Sequence, residues 1–410
     1  MQARWWFWGA LGAVVVACGG DDDPGQPAHG PRGGSAGKGG SAAGMSGDGP
    51  EGAASGHGGE AGDRGTGGAA GQAAASGQGG SLGHGGEAGS AATEAGGAGS
   101  DAGGSAGSSA GSAGAVEPPS YPEHLSDTGL YADLETETLA EGVREYHPAF
   151  ELWSDGATKR RWVKLPAGAV IDTSDLDFWQ YPLGTQLFKE FSLAGTRLET
   201  RMLHKQPGGW AMVAYLWNED QTEALAVPSG ERNAQGTTHD VPSSAACATC
   251  HGKMPDRVLG FSALQLSHDE GGVTLASLGQ EGALSDPPEH DLTLPGDATA
   301  RAALGYLHAN CGLCHNEHSF VSAAVDVQFW LTAASLSSVE QTPTYLTTVD
   351  REPLLGLPGA DALVAPGEPQ ASAVVLRMQL RGDEDQMPPL GTDEPDMAGI
   401  DAVSAWIEKL

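Results

Sequence analysis

The chain has 410 residues, of which 53 are acidic and 21 are lysine or arginine, giving a net charge of −32 at neutral pH. A surface this acidic repels nucleic acid and anionic lipid headgroups, and it excludes both as electrostatic partners. It suits a basic protein partner, although high net charge also serves solubility alone.

The sequence opens with MQARWWFWGALGAVVVAC, one arginine followed by a short apolar run and small residues that end at Cys18. The apolar run is too short to cross a bilayer, so residues 1–18 predict an export signal. Residues 15–18, Val-Val-Ala-Cys, resemble the lipobox of bacterial lipoproteins, in which the chain is cut before the cysteine and that cysteine is acylated. The resemblance implies lipidation of Cys18, and Gly19 after it implies the outer membrane, facing the periplasm or the cell surface. An ordinary signal peptide with a chance cysteine is the alternative.

Residues 19–116 are rich in Gly, Ala and Ser, hold 36 of the 63 glycines and contain no aromatic residue. Such a segment buries too little apolar surface to offset its ordering entropy, which predicts a disordered linker. A flexible coil of this length spans on average ~55 Å, enough for a tether between a membrane and a folded head. Neutral low-complexity drift explains the composition equally well.

Residues 117–245 contain short stretches rich in β-formers, separated by turn signals. Several strands without helical periods between them predict a β-rich domain, either a sandwich or barrel-like. The predicted strands are KRRWVKLP (159–166), GTQLFKEFSL (184–193), TRLETRMLHK (196–205) and GWAMVAYLWNE (209–219), and the predicted core contains Trp162, Trp179, Trp210 and Trp217. The basic run Lys159-Arg160-Arg161 is interpreted as a solvated strand end or as a docking spot for an acidic partner.

The remaining four cysteines form two pairs, each followed at once by a histidine, in ACATCHGKM (246–254) and NCGLCHNEH (310–318). Zinc knuckles usually lie closer together than these pairs, and a redox disulfide, like zinc, leaves the two histidines unexplained. Covalent haem explains all three positions, because each thiol adds to a vinyl group and the next histidine presents its imidazole to the iron. The sequence predicts two haem c groups, attached at Cys247 and Cys250 and at Cys311 and Cys314, with His251 and His315 as iron ligands.

Residues 297–410 resemble the cytochrome c fold. GDATARAALGYLHANC predicts a helix capped by Asp297 that runs into the second motif, and DMAGIDAVSAWIEKL predicts a C-terminal helix. The resemblance implies that Met387, in a Met-Pro-Pro loop, is the sixth ligand opposite His315, and that Gly305 and Trp406 lie where the helices cross. Met378 reads instead as a core residue of a helix.

The first haem segment, residues 246–296, has no Met-Pro-Pro loop, so its sixth iron ligand stays open. His239 and His268 lie at workable separations, and His308 could reach across from the following segment. An iron with no sixth protein ligand is the further possibility, and it would permit catalysis.

The overall prediction is an α+β chain: a disordered linker, a β-rich domain and a mostly helical cytochrome c domain. LSDTGLY and ELWSDGATKRRWVKLPAG resemble the head region of a family of bacterial di-haem c-type cytochrome lipoproteins, and the resemblance covers most of residues 120–410. The predicted function is electron transfer in the periplasm or at the outer membrane, with a redox partner such as a dehydrogenase or a basic electron-transfer protein.

Two other functions stay open. One is a peroxidase-like haem enzyme that uses the first haem as an open catalytic site, although the two motifs lie closer together here than in known di-haem peroxidases. The other is an interaction protein whose β-rich domain binds a dehydrogenase or a surface ligand while the haems receive its electrons. The sequence alone does not decide whether the chain is an enzyme, and it favours an electron carrier over a catalyst.

Overall fold

The computed structural model describes residues 117–410, and its first part is rich in β-sheet. The four strands predicted from sequence are present, each within two residues of its predicted ends. The strands are β1 (Tyr131–Asp133), β2 (Thr138–Leu139), β3 (Val143–Glu145), β4 (Thr158–Lys164), β5 (Gln186–Leu193), β6 (Thr196–Gln206), β7 (Gly209–Trp217) and β8 (Ala224–Ala226).

Strands β3 to β8 form one antiparallel sheet of six strands, paired in chain order, while β1 and β2 form a separate hairpin. The turn from β5 to β6 is Ala194-Gly195, both with positive φ, which is the geometry that matches the twist of a two-residue hairpin. Strands β3 and β8 are the edges, so the sheet is open. Within residues 117–410 no second large sheet packs on it, which corrects the prediction of a sandwich or barrel.

Both faces of this sheet are nevertheless covered. One face buries Trp162, Phe188 and Trp217 against the β1–β2 hairpin and the turn before it. The other buries Val163 and Leu187 against apolar residues of the segment 258–284, which is mostly irregular. Irregular segments have no alternating pattern, so the sequence did not show that they would cover the sheet. Of the four predicted core tryptophans, Trp162, Trp179 and Trp217 are buried and Trp210 is half-buried.

The second part of the described chain is mostly helical. Its longest helix is capped as predicted, because the Asp297 carboxylate accepts the Ala300 N–H at 2.9 Å. The helices are α1 (Ser244–His251), α2 (Leu275–Gln280), α3 (Ala298–Asn310), α4 (Phe320–Val325), α5 (Pro343–Thr348), α6 (Ala373–Gln379) and α7 (Met397–Ile407), with single 3₁₀ turns at Leu125–Thr128, Ala234–Gly236, Leu264–Leu266, Ala333–Ser335, Val339–Gln341 and Pro369–Ala371.

Helices α3 and α7 pack against each other. Trp406 is buried in their shared core, as predicted, beside Leu304 and Leu307. Gly305 is not the glycine at the crossing, because a Cβ there would meet the ring of Phe150, whereas a Cβ on Gly399 would meet the ring of Tyr306. The close approach of the two helices therefore depends on α7, and Gly305 makes room for the chain between β3 and β4.

That connection ties the sheet to the helices. The Trp153 N–H donates to Asn310 Oδ1 at 2.7 Å, and Asn310 Nδ2 donates to the Glu151 carbonyl at 3.1 Å. The Asp155 carboxylate accepts the N–H groups of Asp393 and Glu394. Residues 117–410 consequently pack as one unit. The predicted divisions at residues 245 and 296 stay predictions.

The signal peptide, Cys18 and the linker 19–116 lie outside the described residues. Among residues 117–410, none of the helices combines the length and the apolar character that spanning a membrane requires.

Candidate cofactor site

The first Cys-x-x-Cys-His motif lies on helix α1, which packs against strand β7. The helix begins where the Ser243 hydroxyl accepts the Ala246 N–H at 3.1 Å, and it ends at His251. Gly252 follows, and a Cβ there would meet the Ala248 carbonyl oxygen. The helical spacing holds Cys247, Cys250 and His251 within one turn and a half, as attachment of one ligand by both thiols requires.

The second motif continues from the end of helix α3. The Cys311 N–H donates to the Leu307 carbonyl at 2.9 Å, and the His315 N–H donates to the Cys311 carbonyl at 2.9 Å. Gly312 lies against the backbone of Trp330 and the His308 carbonyl, leaving no room for a side chain. Both motifs are therefore presented on helical turns.

The two motif histidines share one hydrogen-bonding arrangement. His251 Nδ1 lies 2.5 Å from the Arg257 carbonyl oxygen, and His315 Nδ1 lies 3.2 Å from the Val327 carbonyl oxygen. A carbonyl only accepts, so Nδ1 carries the proton in both rings and Nε2 keeps its lone pair. Burial lowers the pKa of each imidazole to about 4, so both are neutral at physiological pH. Each ring is thus oriented to offer Nε2 to a metal ion.

The four motif cysteines are free, half-buried thiols. Burial raises the pKa of Cys311 to about 12, and it also raises the pKa of Cys247 and Cys250. Thiols of this kind are weak nucleophiles for disulfide exchange. Within residues 117–410 there is no group of three or more His, Cys, Asp or Glu side chains arranged to hold a metal ion, as a structural zinc site requires.

The fold brings the two motifs into contact, although more than sixty residues separate their histidines. Lys253 Nζ lies 3.3 Å from Cys314 Sγ, and Asn316 Nδ2 lies 3.8 Å from Met254 Sδ. Met254 is buried with Phe178 and Trp330. An open cleft of ≈ 330 Å³ lies here, lined by Gly252, Lys253, Met254, Pro255, Arg257 and His318.

Two buried ring N–H groups beside the second motif have no acceptor among the described residues. His308 Nδ1 accepts the Leu331 N–H at 3.1 Å, so its proton is on Nε2, which is buried and unpaired. Trp330 Nε1 is also buried and unpaired, and its ring lies 4.3 Å from that of His308. Unpaired buried donors are costly, and they suit a ligand that carries acceptor oxygens, as the propionates of a haem do. In this tautomer His308 is a hydrogen-bond donor and not an iron ligand.

The two histidines predicted from sequence as sixth ligands for a haem at the first motif have different surroundings. His239 Nε2 lies 2.7 Å from Glu199 Oε1, and Arg201 binds the same carboxylate at 2.5 Å. Arg201 in turn acts electrostatically on Cys247 and Cys250, so His239 belongs to the neighbourhood of the first motif. Its Nδ1 makes no hydrogen bond to another described residue.

His268 is held elsewhere. Its Nε2 lies 2.7 Å from the His147 carbonyl oxygen, and its Nδ1 is buried without a partner. No hydrogen bond, ion pair or ring contact links it to the first motif among residues 117–410. The structure therefore favours His239 over His268 as a neighbour of the first motif.

The two methionines predicted in the helical part also differ. Met378 is buried in the core on helix α6, in agreement with its assignment as a packing residue. Met387 lies half-buried in the following loop, where its N–H donates to the Arg377 carbonyl at 3.0 Å. No hydrogen bond joins Met387 to either motif in the described part of the chain, and its ligand role stays a prediction.

Sequence reasoning missed a row of charges on the sheet face beside the first motif. Lys159 and Arg161 on β4, Lys189 on β5, and Glu199 and Arg201 on β6 share the side that buries Val163 and Leu187. The alternation of side chains along each strand could have revealed this row. Each charged residue lies an even number of positions from an apolar residue of the same strand that faces inward. This corrects the interpretation of 159–161 as solvated, because only Arg160 has a side chain substantially exposed.

Comparison with known proteins adds no assignment. No protein-family model, no curated protein and no solved structure matches this chain.

Proposed function

We propose that the chain is a di-haem c-type cytochrome, anchored by a lipid at Cys18, that transfers electrons in the periplasm or at the outer membrane. One observation carries the proposal: two thiol pairs, each followed by a histidine whose Nδ1–H is held by a backbone carbonyl. That hydrogen bond fixes the tautomer and leaves Nε2 for iron. The same arrangement at two unrelated points of the chain is explained by one chemistry used twice.

The residues that would hold the two groups follow from the motifs. Cys247 and Cys250 would bind the first haem and Cys311 and Cys314 the second, with His251 and His315 as their iron ligands. Bound haem supplies a reversible one-electron change at iron. The protein orients the imidazoles, shields them from water and, through Lys253 and Met254, holds the two motifs together. Such contact favours passage of electrons from one motif to the other.

The order of elements in residues 297–410 supports the resemblance to cytochrome c. Helix α3 runs into the second motif, helix α7 packs on α3, and Met387 follows helix α6. A methionine opposite His315 would close that iron to substrate and raise its reduction potential relative to a second imidazole. We therefore assign the second haem to electron relay.

A haem enzyme is the second candidate, and the neighbourhood of His239 favours it. A histidine bonded to a buried carboxylate, with an arginine on the same carboxylate, can move a proton and stabilise negative charge. If His239 binds the first iron, that site is closed and the protein is a carrier. If His239 instead keeps its hydrogen bond to Glu199, and no other residue binds the first iron, peroxide chemistry would be possible at the first haem.

Haem content tests the proposal directly. We would export the full chain in a host that attaches haem c and measure haem per polypeptide by pyridine haemochrome. The wild type should hold two haems, Cys247→Ser/Cys250→Ser one, Cys311→Ser/Cys314→Ser one, and the quadruple variant none. Cys18→Ser, which removes a thiol outside the motifs, should keep two. A colourless wild type with four titratable thiols would contradict the proposal.

Spin state then separates carrier from enzyme. Two low-spin haems that do not react with peroxide support the carrier. A high-spin first haem that turns over peroxide supports the enzyme, and its activity should then be lost in His239→Ala. The predicted partner is a dehydrogenase or a basic electron-transfer protein. To identify it, we would measure how the rate at which each candidate reduces the purified protein depends on salt concentration.

A further inference from the structure

The loop that follows the first motif is fixed to the β-rich region by one buried carboxylate. Asp256 is 9% exposed, and its two oxygens make three polar contacts. Oδ2 accepts the Tyr181 backbone N–H at 2.6 Å and pairs with Lys205 Nζ at 2.6 Å, while Oδ1 accepts the Trp210 indole N–H at 2.9 Å. Lys205 lies on β6 and Trp210 on β7, so separate elements of the sheet hold this one side chain.

The anchored residue is next to the one that bonds the histidine of the first motif. Asp256 directly precedes Arg257, whose carbonyl oxygen lies 2.5 Å from His251 Nδ1. Val258 follows, and it is buried in the core that also contains Leu187 of β5. The Arg257 carbonyl is therefore flanked by a polar contact to the sheet on one side and by an apolar contact on the other.

The backbone of Arg257 depends on this support. Its φ is +61°, in the left-handed region that residues other than glycine seldom adopt. Such a conformation persists where the surrounding contacts hold it. A loop released from the sheet would relax, and the Arg257 carbonyl would move away from the His251 ring.

We infer that Asp256 is a positioning residue, which holds the Arg257 carbonyl against the Nδ1–H group of His251. The inference rests on the proposed function, because it needs an iron at Nε2 of the same ring. A hydrogen bond at Nδ1 makes Nε2 a stronger electron donor, and a stronger donor stabilises oxidised iron. The β-rich region would thus set the reduction potential of the first haem through hydrogen bonds from β6 and β7.

The test weakens the anchor and follows the first haem. Asp256→Asn keeps the shape of the side chain, but its amide nitrogen cannot accept a hydrogen bond. It should hold two haems by haemochrome, with the reduction equilibrium constant of the first about tenfold higher, or 59 mV for one electron. The second haem should be unchanged, and the Cys311→Ser/Cys314→Ser variant identifies which titration wave belongs to the first.

Trp210→Phe separates the anchor from the charge of Asp256. It removes one hydrogen bond to the carboxylate and leaves the net charge as it was, so the first potential should rise by about threefold in the equilibrium constant. In NMR spectra of the reduced protein with isotope-labelled histidine, the Nδ1 proton of His251 should exchange with solvent faster in both variants than in the wild type.

Trp217→Phe is the matched control. Trp217 lies on the same strand as Trp210 but faces the other side of the sheet, where its indole N–H donates to the Thr200 hydroxyl at 3.0 Å. The control should change neither the first potential nor the exchange of the His251 proton.

Two results would overturn this inference while the proposed function stands. One is an unshifted first potential in Asp256→Asn with both haems present. The other is a shift in Asp256→Asn without one in Trp210→Phe, which would mean that the charge acts through space. A wild type without haem would overturn the proposed function instead.

Discussion

The imidazole rings of the two motif histidines are oriented by backbone carbonyls that lie close to them in sequence. His251 bonds a carbonyl six residues away, and His315 bonds one twelve residues away. Short loops of this kind are formed by local structure, although at the first motif Asp256 also holds the loop to strands β6 and β7. A sixth ligand for either proposed iron would differ, because it would have to come from another element.

Met387, the proposed sixth ligand of the second haem, is the residue whose removal would give the clearest signal at this scale. We expect Met387→Ala to abolish the sulfur-to-iron charge-transfer band of the oxidised protein in the far red and to lower the potential of the second haem. Met378→Leu, a volume-conserving change in the core, should retain the band. A band that survives in Met387→Ala would show that another residue ligates the second iron.

Glu190 provides a pH prediction away from the two Cys-x-x-Cys-His motifs. It is 3% exposed, its Oε2 has no hydrogen-bond partner, and burial raises its pKa from 4.5 to about 7. The folded state thus holds a proton that the unfolded state releases, so the free energy of unfolding falls as the pH rises from 4.5 to about 7. Glu190→Gln should remove this loss and stabilise the protein at alkaline pH by about 3 kcal/mol.

Denaturant unfolding above and below this pH window measures the effect. The stabilisation by Glu190→Gln should shrink as the pH falls toward 4.5 and vanish below it, where both states hold the proton. Glu135→Gln, at an exposed position, should change little at either pH. A gain that does not vary with pH would mean that packing, and not ionisation, causes it.

Among the elements, the contact between helices α3 and α7 holds the second motif against the core. Helix α7 has a glycine where Tyr306 of α3 lies across it, and the shared core contains Ile400, Val403 and Trp406. Side chains at such a crossing determine how closely the two axes approach. The position of the second motif at the end of α3 therefore depends on this glycine.

Gly399→Ala tests the crossing. Alanine is the better helix former, but its Cβ would overlap the Tyr306 ring, so we expect a net loss of about 1–2 kcal/mol in the free energy of unfolding. Gly356→Ala is the control, because a Cβ there meets nothing within 4 Å. In a Tyr306→Ala background, Gly399→Ala should no longer lower the free energy of unfolding. A loss that persists there would show that the added Cβ overlaps a residue other than Tyr306.

At the scale of the whole molecule, the sequence predicts a charged head on a long low-complexity segment behind an export signal. The head carries 43 acidic and 17 basic residues, while its few internal cations gather beside the first motif. The outer surface and the proposed site of the first haem would therefore have opposite electrostatic character. A basic partner would be attracted to the surface without competing for the site.

Cys18→Ser tests the proposed anchor. We expect the haem protein to move from the membrane fraction to the soluble periplasmic fraction, still exported and still holding two haems. The reason is that one acylated cysteine supplies the hydrocarbon that partitions into the bilayer, and serine carries none. Gly19→Ala should leave the protein with the membrane. Unchanged membrane association of Cys18→Ser would argue against a lipid anchor.

Local patterns determined much of this protein. The four long strands, the Asp297 cap, helix α7 and the core position of Met378 were all predicted, because each depends on residues near it in sequence. The Cys-x-x-Cys-His motifs were recognisable for the same reason. The sandwich or barrel was wrong because irregular chain, which has no periodic signal, covers the sheet.

Only the tertiary structure decided which distant residues meet. It brought Lys253 to Cys314, placed His239 and not His268 beside the first motif, and aligned Arg161, Lys189 and Arg201 across three strands. The physical reason is that strand register and helix packing depend on many weak contacts at once. No single stretch of sequence encodes them, and a shift of one residue in register would turn the whole row of cations to the other face.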